Sequence, residues 1–187
     1  MAAHGREGLR TVANVCAVVR QTNKEVVVTV KVVVPGSFDP IHNGHLDIIE
    51  RAAARFDHVT VAVLVNEAKQ GLFTTGERLD LISASTGHLD NVAVASFSGL
   101  LVDFCHEHDV GMICKGLRAG GDFEYELQMA QMNAHIGDVE TVFLTTSPEW
   151  SFVSSSLVKE VARWGGSVTD TVPAVVASAL AARTDRD

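Results

Sequence analysis

One segment limits the fold of this chain more than any other: the β-branched run Val26–Val34, which ends directly in the turn-rich stretch Pro35–Asn43. A half-exposed strand alternates apolar and polar residues, whereas a strand covered by helices on both faces reads as continuous apolar sequence. Such a strand belongs in a parallel sheet, and parallel neighbours need crossover connections between them. The rest of the sequence supplies that alternation. Gly44–Phe56 reads as a helix, Val59–Val65 as a strand, and Thr74 with Glu77 as a capping box that opens a helix to about Ser85. Asn91–Ser96 (strand), Leu100–His108 (helix), Gly111–Lys115 (strand), Phe123–His135 (helix) and Thr141–Thr145 (the fifth strand) follow. Ser154 or Ser155 caps a helix to about Trp164, and Pro173, with Thr171 as its cap, starts the last helix. The expectation is an α/β domain, a doubly wound parallel five-stranded sheet. A length of 187 residues suits one such domain with a full core. Residues 29–187 are assigned to it. Residues 1–28 mix charges with short apolar pieces and are read as a disordered N-terminal extension, an upstream addition in which Leu9–Arg20 has the pattern of a short helix.

In a sheet of this kind ligands bind outside the carboxyl ends of the strands. Four loops at those ends carry the unusual residues: Pro35–His45, Asn66–Phe73, Lys115–Asp122 and Thr145–Ser156. The formal net charge of -8 argues against a general nucleic-acid binder. A few cations gathered in one cleft still serve a polyanionic small molecule. Cys16, Cys105 and Cys114 are odd in number and form no C-x-x-C pair, so a reducing compartment is expected rather than a disulfide framework. No stretch approaches the roughly 18 apolar residues of a membrane span. Val12–Val19 is short and lies behind Arg6, Glu7 and Arg10 without a cleavage site, so no signal peptide is read and the cytoplasm is the expected location.

The first loop holds the densest chemistry. Gly36 allows a ligand close to the backbone. Gly44 and His45 open a helix whose free N–H groups favour a phosphate. His42 and His45 lie on one turn, so both rings can face one pocket and donate to phosphate oxygens as charge builds. A zinc site is the weaker option, because no third ligand stands nearby. Taken alone, Lys69 is an exposed loop lysine, Ser154–Ser156 a helix cap, and Asp122–Glu126 first-turn acids. Lys115 is less easily set aside, because it ends a buried-looking strand directly before a glycine. His58, His88, His106, His108 and His135 read as surface residues, and Phe123, Leu127, Met129 and Met132 as core or packing positions on an amphipathic helix.

Gly36-Ser37-Phe38-Asp39-Pro40, with His42 and Gly44-His45 after it, resembles the signature of the nucleotidylyltransferase superfamily. Members of that superfamily share a fold with class I aminoacyl-tRNA synthetases. Lys115-Gly116-Leu117-Arg118, Asp122–Ala130 with Met132-Asn133, and Glu149–Glu160 resemble the phosphopantetheine adenylyltransferases within it, in the same order from about Val32 to Leu180. The resemblance implies a Rossmann-like nucleotidylyltransferase fold. It also implies transfer of AMP from ATP to 4′-phosphopantetheine, giving 3′-dephospho-coenzyme A and pyrophosphate in coenzyme A biosynthesis. Mg²⁺ would ride on the triphosphate without ligands from protein side chains, and the protein would be a homohexamer with no nucleic-acid or membrane partner. His45 is implied as the catalytic group, stabilising charge on the α-phosphate. ATP contacts fall to Ser37, Phe38, His45, Gly116, Leu117, Arg118, Glu126, Trp150, Ser151, Phe152, Val153, Ser154, Ser155 and Ser156, and acceptor contacts to Ser37, Lys69, Leu101 and Lys115. These proteins usually carry Thr where His42 stands, which leaves the role of His42 open. Two alternatives stand beside this reading: another small-molecule nucleotidylyltransferase, acting for example on nicotinamide mononucleotide or glycerol phosphate, and a nucleotide-binding module without chemistry.

Overall fold

In the computed structural model, which describes residues 20–22, 25–27, 29–66, 70–118 and 120–184, valines of one strand serve two cores at once. That strand, β3 (Lys31–Gly36), sits at the centre of an all-parallel sheet with β4 (His58–Leu64), β5 (Val92–Phe97), β6 (Met112–Leu117) and β7 (Glu140–Thr145), in the order β5-β4-β3-β6-β7. Val32 and Val34 point to one face, where Ile48, Ile49, Ile82 and Leu180 cover them, and Val33 points to the other, with Ala62, Ile113, Val102 and Phe104. Helices α1 (Asn43–Ala53), α2 (Thr75–Thr86), α5 (Ser155–Arg163) and α6 (Ala174–Thr184) build the first layer. Helices α3 (Leu101–Glu107) and α4 (Gly120–Gly137) lie on the opposite side, packed on each other, with α3 in the second core and α4 against β6 and β7. This is the doubly wound α/β sheet expected from the alternation.

The expected strand Val26–Val34 is corrected at both ends. β3 starts only at Lys31, because the Val30 N–H donates to the Asp57 carboxylate and the Val30 carbonyl accepts from the Asp57 and His58 amides. β1 (Arg20–Thr22) and β2 (Glu25–Val27) instead pair antiparallel with each other, inside the segment read as an extension, whose remaining residues 1–19, 23, 24 and 28 lie outside the described residues. At its other end β3 continues through Pro35 to Gly36, in register with Ala62 and Val63 of β4.

On its other edge β3 pairs with β6 only at Val32–Met112 and Val33–Ile113, while β6 stays with β7 as far as Leu117. Gly116 and Leu117, expected in a loop, are therefore strand residues opposite Leu144 and Thr145. Beyond Val33 the two central strands part, and a crevice opens between their carboxyl ends. In doubly wound sheets this switch point is where ligands bind.

Two smaller expectations also change. The Thr171 hydroxyl donates to the Val168 carbonyl rather than capping α6. On α4, Phe123, Leu127, Met129 and Met132, read as core or packing positions, are not core: they are 43%, 38%, 39% and 52% exposed, and Tyr125 and Ile136 join them at 65% and 48%. The helix is apolar on more of its circumference than β6, β7 and α3 can cover. Among the described residues, no helix is long and apolar enough to cross a membrane.

Candidate active site

The crevice between β3 and β6 is a cleft of about 380 Å³ floored by Val34–Gly36 and Cys114–Gly116, and the amino ends of α1 and α5 both open into it. Two helix N-termini at one opening make it attractive to anions. The loop after β3 is shaped by its glycine. A Cβ at Gly36 would lie 2.9 Å from the Phe38 ring, and that ring, only 2% exposed, meets the His45 imidazole edge-on at 4.9 Å. Phe38 itself takes a positive φ of 44, which aims its side chain inward at a backbone cost of about 1 kcal/mol or more.

His42, buried at 3% exposure, is the N-cap of α1. The cap is reciprocal: the His45 amide donates to His42 Nδ1, and the His42 amide donates to His45 Nδ1, each at 3.3 Å. The usual pairing in such a box is a hydroxyl with a carboxylate or carboxamide; here two imidazoles do both jobs. Their rings stack at 3.7 Å with 22° between planes. Burial, and after it the Arg118 guanidinium, pulls the His42 pKa down to about 4. His45 is pulled well below the ordinary histidine value by burial first, then by His42 and Arg118. Both rings are thus neutral at pH 7. Because each Nδ1 is already an acceptor, each proton resides on Nε2. His45 therefore offers the cleft a fixed N–H donor that carries no net charge.

Two carboxylates hold the surrounding loops. Asp39 accepts from the Leu72 amide (3.0 Å), the Phe73 amide (2.8 Å) and Lys159 Nζ (2.7 Å), with Arg78 Nε at 3.4 Å. Burial pushes its pKa up, but Lys159 and the two amides outweigh that and leave it below the usual carboxylate value. Arg78 continues the network to the Ser37 carbonyl. Asp47 plays the same part on the other side. It accepts from the Ser147 amide (3.1 Å) and hydroxyl (2.7 Å) and from Arg51 (3.2 Å), while Arg51 also reaches the Thr145 carbonyl. Burial again works against ionisation, and the Ser147 bonds with Arg51 overcome it, so this pKa is lowered too. Sequence reasoning missed both anchors, although each stands beside the histidine motif, because a structural and a chemical aspartate look alike in a string.

The cations stand on the β6 side. Lys115 Nζ lies 3.1 Å from Glu126 Oε2, and Arg118 donates to the Val153 carbonyl at 3.2 Å. Gly116 is required by α1, since a Cβ there would meet Ile48 at 2.8 Å. Ser154 caps α5 by accepting from the Leu157 amide, and the Ser155 hydroxyl ties α5 to the Pro40 carbonyl.

The cleft thus gathers Ser37, Phe38, His45, Lys115, Gly116, Arg118, Glu126, Ser154, Ser155 and Ser156. It also includes His42, which the sequence reading put at the same pocket with its role left open, and Ile48, Thr146 and Cys114, which it did not assign, the last with a thiol that burial pushes up to about 11. Leu101, Leu117, Trp150, Ser151, Phe152 and Val153 do not line it. Leu101 packs against the second core and Trp150 against the first, while Phe152 and Val153 border a smaller apolar depression on α5. Lys69 lies outside the described residues. Among the described residues, no group of three or more His, Cys, Asp or Glu surrounds a common point.

Comparison with known proteins bears on the same residues. The cytidylyltransferase-like family matches residues 33–161. The phosphopantetheine adenylyltransferase of Streptomyces coelicolor is 59% identical over 153 residues, 82% of this chain and 96% of that protein. That of Thermobifida fusca is 54% identical over 153 residues, 82% of this chain and 93% of its own length. A solved structure, the lipopolysaccharide core biosynthesis protein of Thermoplasma volcanium, has 23% identity and a TM-score of 0.46, covering 63% of this chain and 96% of its own.

Proposed function

The chain belongs to the phosphopantetheine adenylyltransferases, within the cytidylyltransferase-like family, and from that premise we propose that its cleft moves AMP from ATP onto 4′-phosphopantetheine. An oxygen of the acceptor phosphate attacks the α-phosphorus of ATP, the bond to the β-phosphate oxygen breaks, and pyrophosphate departs with the electron pair. The products are 3′-dephospho-coenzyme A and pyrophosphate. A phosphomonoester is largely a dianion at pH 7, its second pKa being about 6, so the nucleophile needs no general base. That suits a site whose histidines are neutral donors. What it needs is relief of repulsion between two anions and fixed geometry at the α-phosphate. His45 Nε2–H is the donor for charge developing there. Lys115 and Arg118, with the amino ends of α1 and α5, hold the remaining negative charge.

The observation that carries this reading is the convergence of His45, Lys115, Arg118 and two helix N-termini on one crevice at the switch point of the sheet. From the resemblance we further assign Ser37 and Lys69 to the acceptor phosphate and Leu101 to the pantetheine arm. Glu126 and the stretch Trp150–Ser156 are assigned to ATP, with Trp150–Val153 acting from outside the cleft wall. Mg²⁺ is placed on the triphosphate and water. The nearby carboxylates are engaged elsewhere, Asp39 and Asp47 by their donors and Glu126 by Lys115, and no step is routed through the ion. The apolar α4 face, from Phe123 to Ile136, supports assembly into a homohexamer, in the cytoplasm.

The test is pyrophosphate release from ATP and Mg²⁺ with 4′-phosphopantetheine, nicotinamide mononucleotide or glycerol phosphate as acceptor. Turnover with phosphopantetheine alone is expected. Turnover only with another acceptor, or with none, would refute the proposal.

A further inference from the structure

His42 caps α1 with an imidazole, and the geometry around it is specific. Its imidazole is 3% exposed, borders the cleft, and lies face to face with His45 at 3.7 Å. The His45 ring also makes an edge contact with Phe38 at 4.9 Å. His45 is therefore in contact with two rings, stacked on one and edge-on to the other. Its Nδ1 accepts the His42 amide, which fixes where the ring starts but not how freely it swings about that bond. The wall formed by His42 removes that freedom. The same side chain also caps α1 through its Nδ1. These two tasks can be separated: a threonine at this position keeps a cap acceptor and loses the wall, whereas a phenylalanine keeps a flat wall and loses the cap.

We propose that His42 is a positioning residue for adenylyl transfer, whose ring, stacked on His45, holds the His45 Nε2–H at the α-phosphate. The inference rests on the adenylyltransferase reading for its chemistry but on the stacked pair alone for its structural content. Misplacing a catalytic donor by an ångström costs rate rather than binding. His42→Thr should thus lower kcat about tenfold or more, with the KM for ATP within about twofold. Its melting temperature should stay near wild type, because the cap survives. His42→Phe should do the reverse, with kcat within about threefold and a melting temperature lower by about 3 °C for the lost cap.

The experiment measures steady-state turnover and thermal unfolding for wild type, His42→Thr and His42→Phe, and the His45 imidazole resonances in the ligand-free proteins. The expected result is a crossed pattern, with a single sharp His45 environment in wild type and His42→Phe and an averaged one in His42→Thr. His42→Thr with wild-type kcat and an unchanged His45 signal would overturn the inference. An equal loss of kcat in both variants would also overturn it, and would make His42 a direct donor to substrate. If wild-type protein releases no pyrophosphate, the functional reading fails, while the resonances still decide whether His42 orders His45.

Discussion

Three carboxylates border the proposed reaction, and they are held in opposite ways. Asp39 and Asp47 are tied by several donors each, two of them backbone amides at Asp39 and one at Asp47, so neither can leave without unbinding a loop. Among the described residues Glu126 has a single partner, the Lys115 ammonium, on side chains that remain 21% and 27% exposed. The first arrangement is scaffold. The second is exchangeable: Lys115 can release Glu126 for a phosphate without disturbing the fold. The histidine side of the cleft is therefore set before substrate arrives, and the lysine side is set by substrate.

Breaking the scaffold should cost most. Asp39→Ala leaves Lys159 and two loop amides without their acceptor and takes the carboxylate away from Arg78, which keeps the Phe73 and Ser37 carbonyls. The expected loss is about 3–5 kcal/mol of stability in a denaturant titration. A loss under about 1 kcal/mol would show that Asp39 is not an anchor. His45→Ala sharpens the contrast from the chemical side. It should reduce kcat by about 10²–10³, or about 2.7–4 kcal/mol, with ATP affinity nearly unchanged. Equilibrium binding of ATP beside turnover would check both halves.

The pH dependence distinguishes the buried histidines from the buried acids. His42 titrates near 4 when folded against 6.5 ordinarily, so the unfolded chain takes up the proton first. Its contribution is complete above about pH 6.5 and is lost as pH falls toward 4. Asp39 and Asp47 are lowered from 3.8, so theirs is present above that value and is lost only as pH falls below it. Stability should therefore start falling near pH 6.5, before any carboxylate titrates. In His42→Thr the slope between pH 6 and 5 should be shallower by about 1.4 kcal/mol per pH unit. An identical slope would place the proton uptake elsewhere. The smallest effect concerns the exchangeable pair. Glu126→Gln frees Lys115 and should tighten binding of inorganic phosphate, without nucleotide, by about fivefold, or about 1 kcal/mol, with little change in stability. Unchanged phosphate affinity in a calorimetric titration would mean that Glu126 does not mask Lys115.

The same division explains what could be read from the string. The Thr74–Glu77 box and the Ser154 cap depend on neighbours in sequence, and the structure has them where the pattern put them. His45, Lys115, Gly116, Arg118 and Glu126 were legible because they stand in long motifs, and the chain brings them together. Asp39 and Asp47 were not. Their partners lie between 33 and 120 residues away for Asp39, and 100 residues away at Ser147 for Asp47, and nothing local marks such bonds. The exposed face of α4 was left between core and packing for a related reason. An apolar helix looks the same whether its own chain or another surface covers it. The end of β3 at Lys31 escaped as well, since Val26–Val28 carry the same β-branched signal as Val32–Val34 and only the Asp57 contact separates them.

The most direct measurement follows the transferred group itself. With ATP labelled at the α-phosphate, wild-type protein should place one label in 3′-dephospho-coenzyme A for each pyrophosphate released, and His45→Ala should slow both by the same factor. Label that stays in free AMP, or that reaches dephospho-coenzyme A at an unchanged rate without His45, would contradict adenylyl transfer at this cleft.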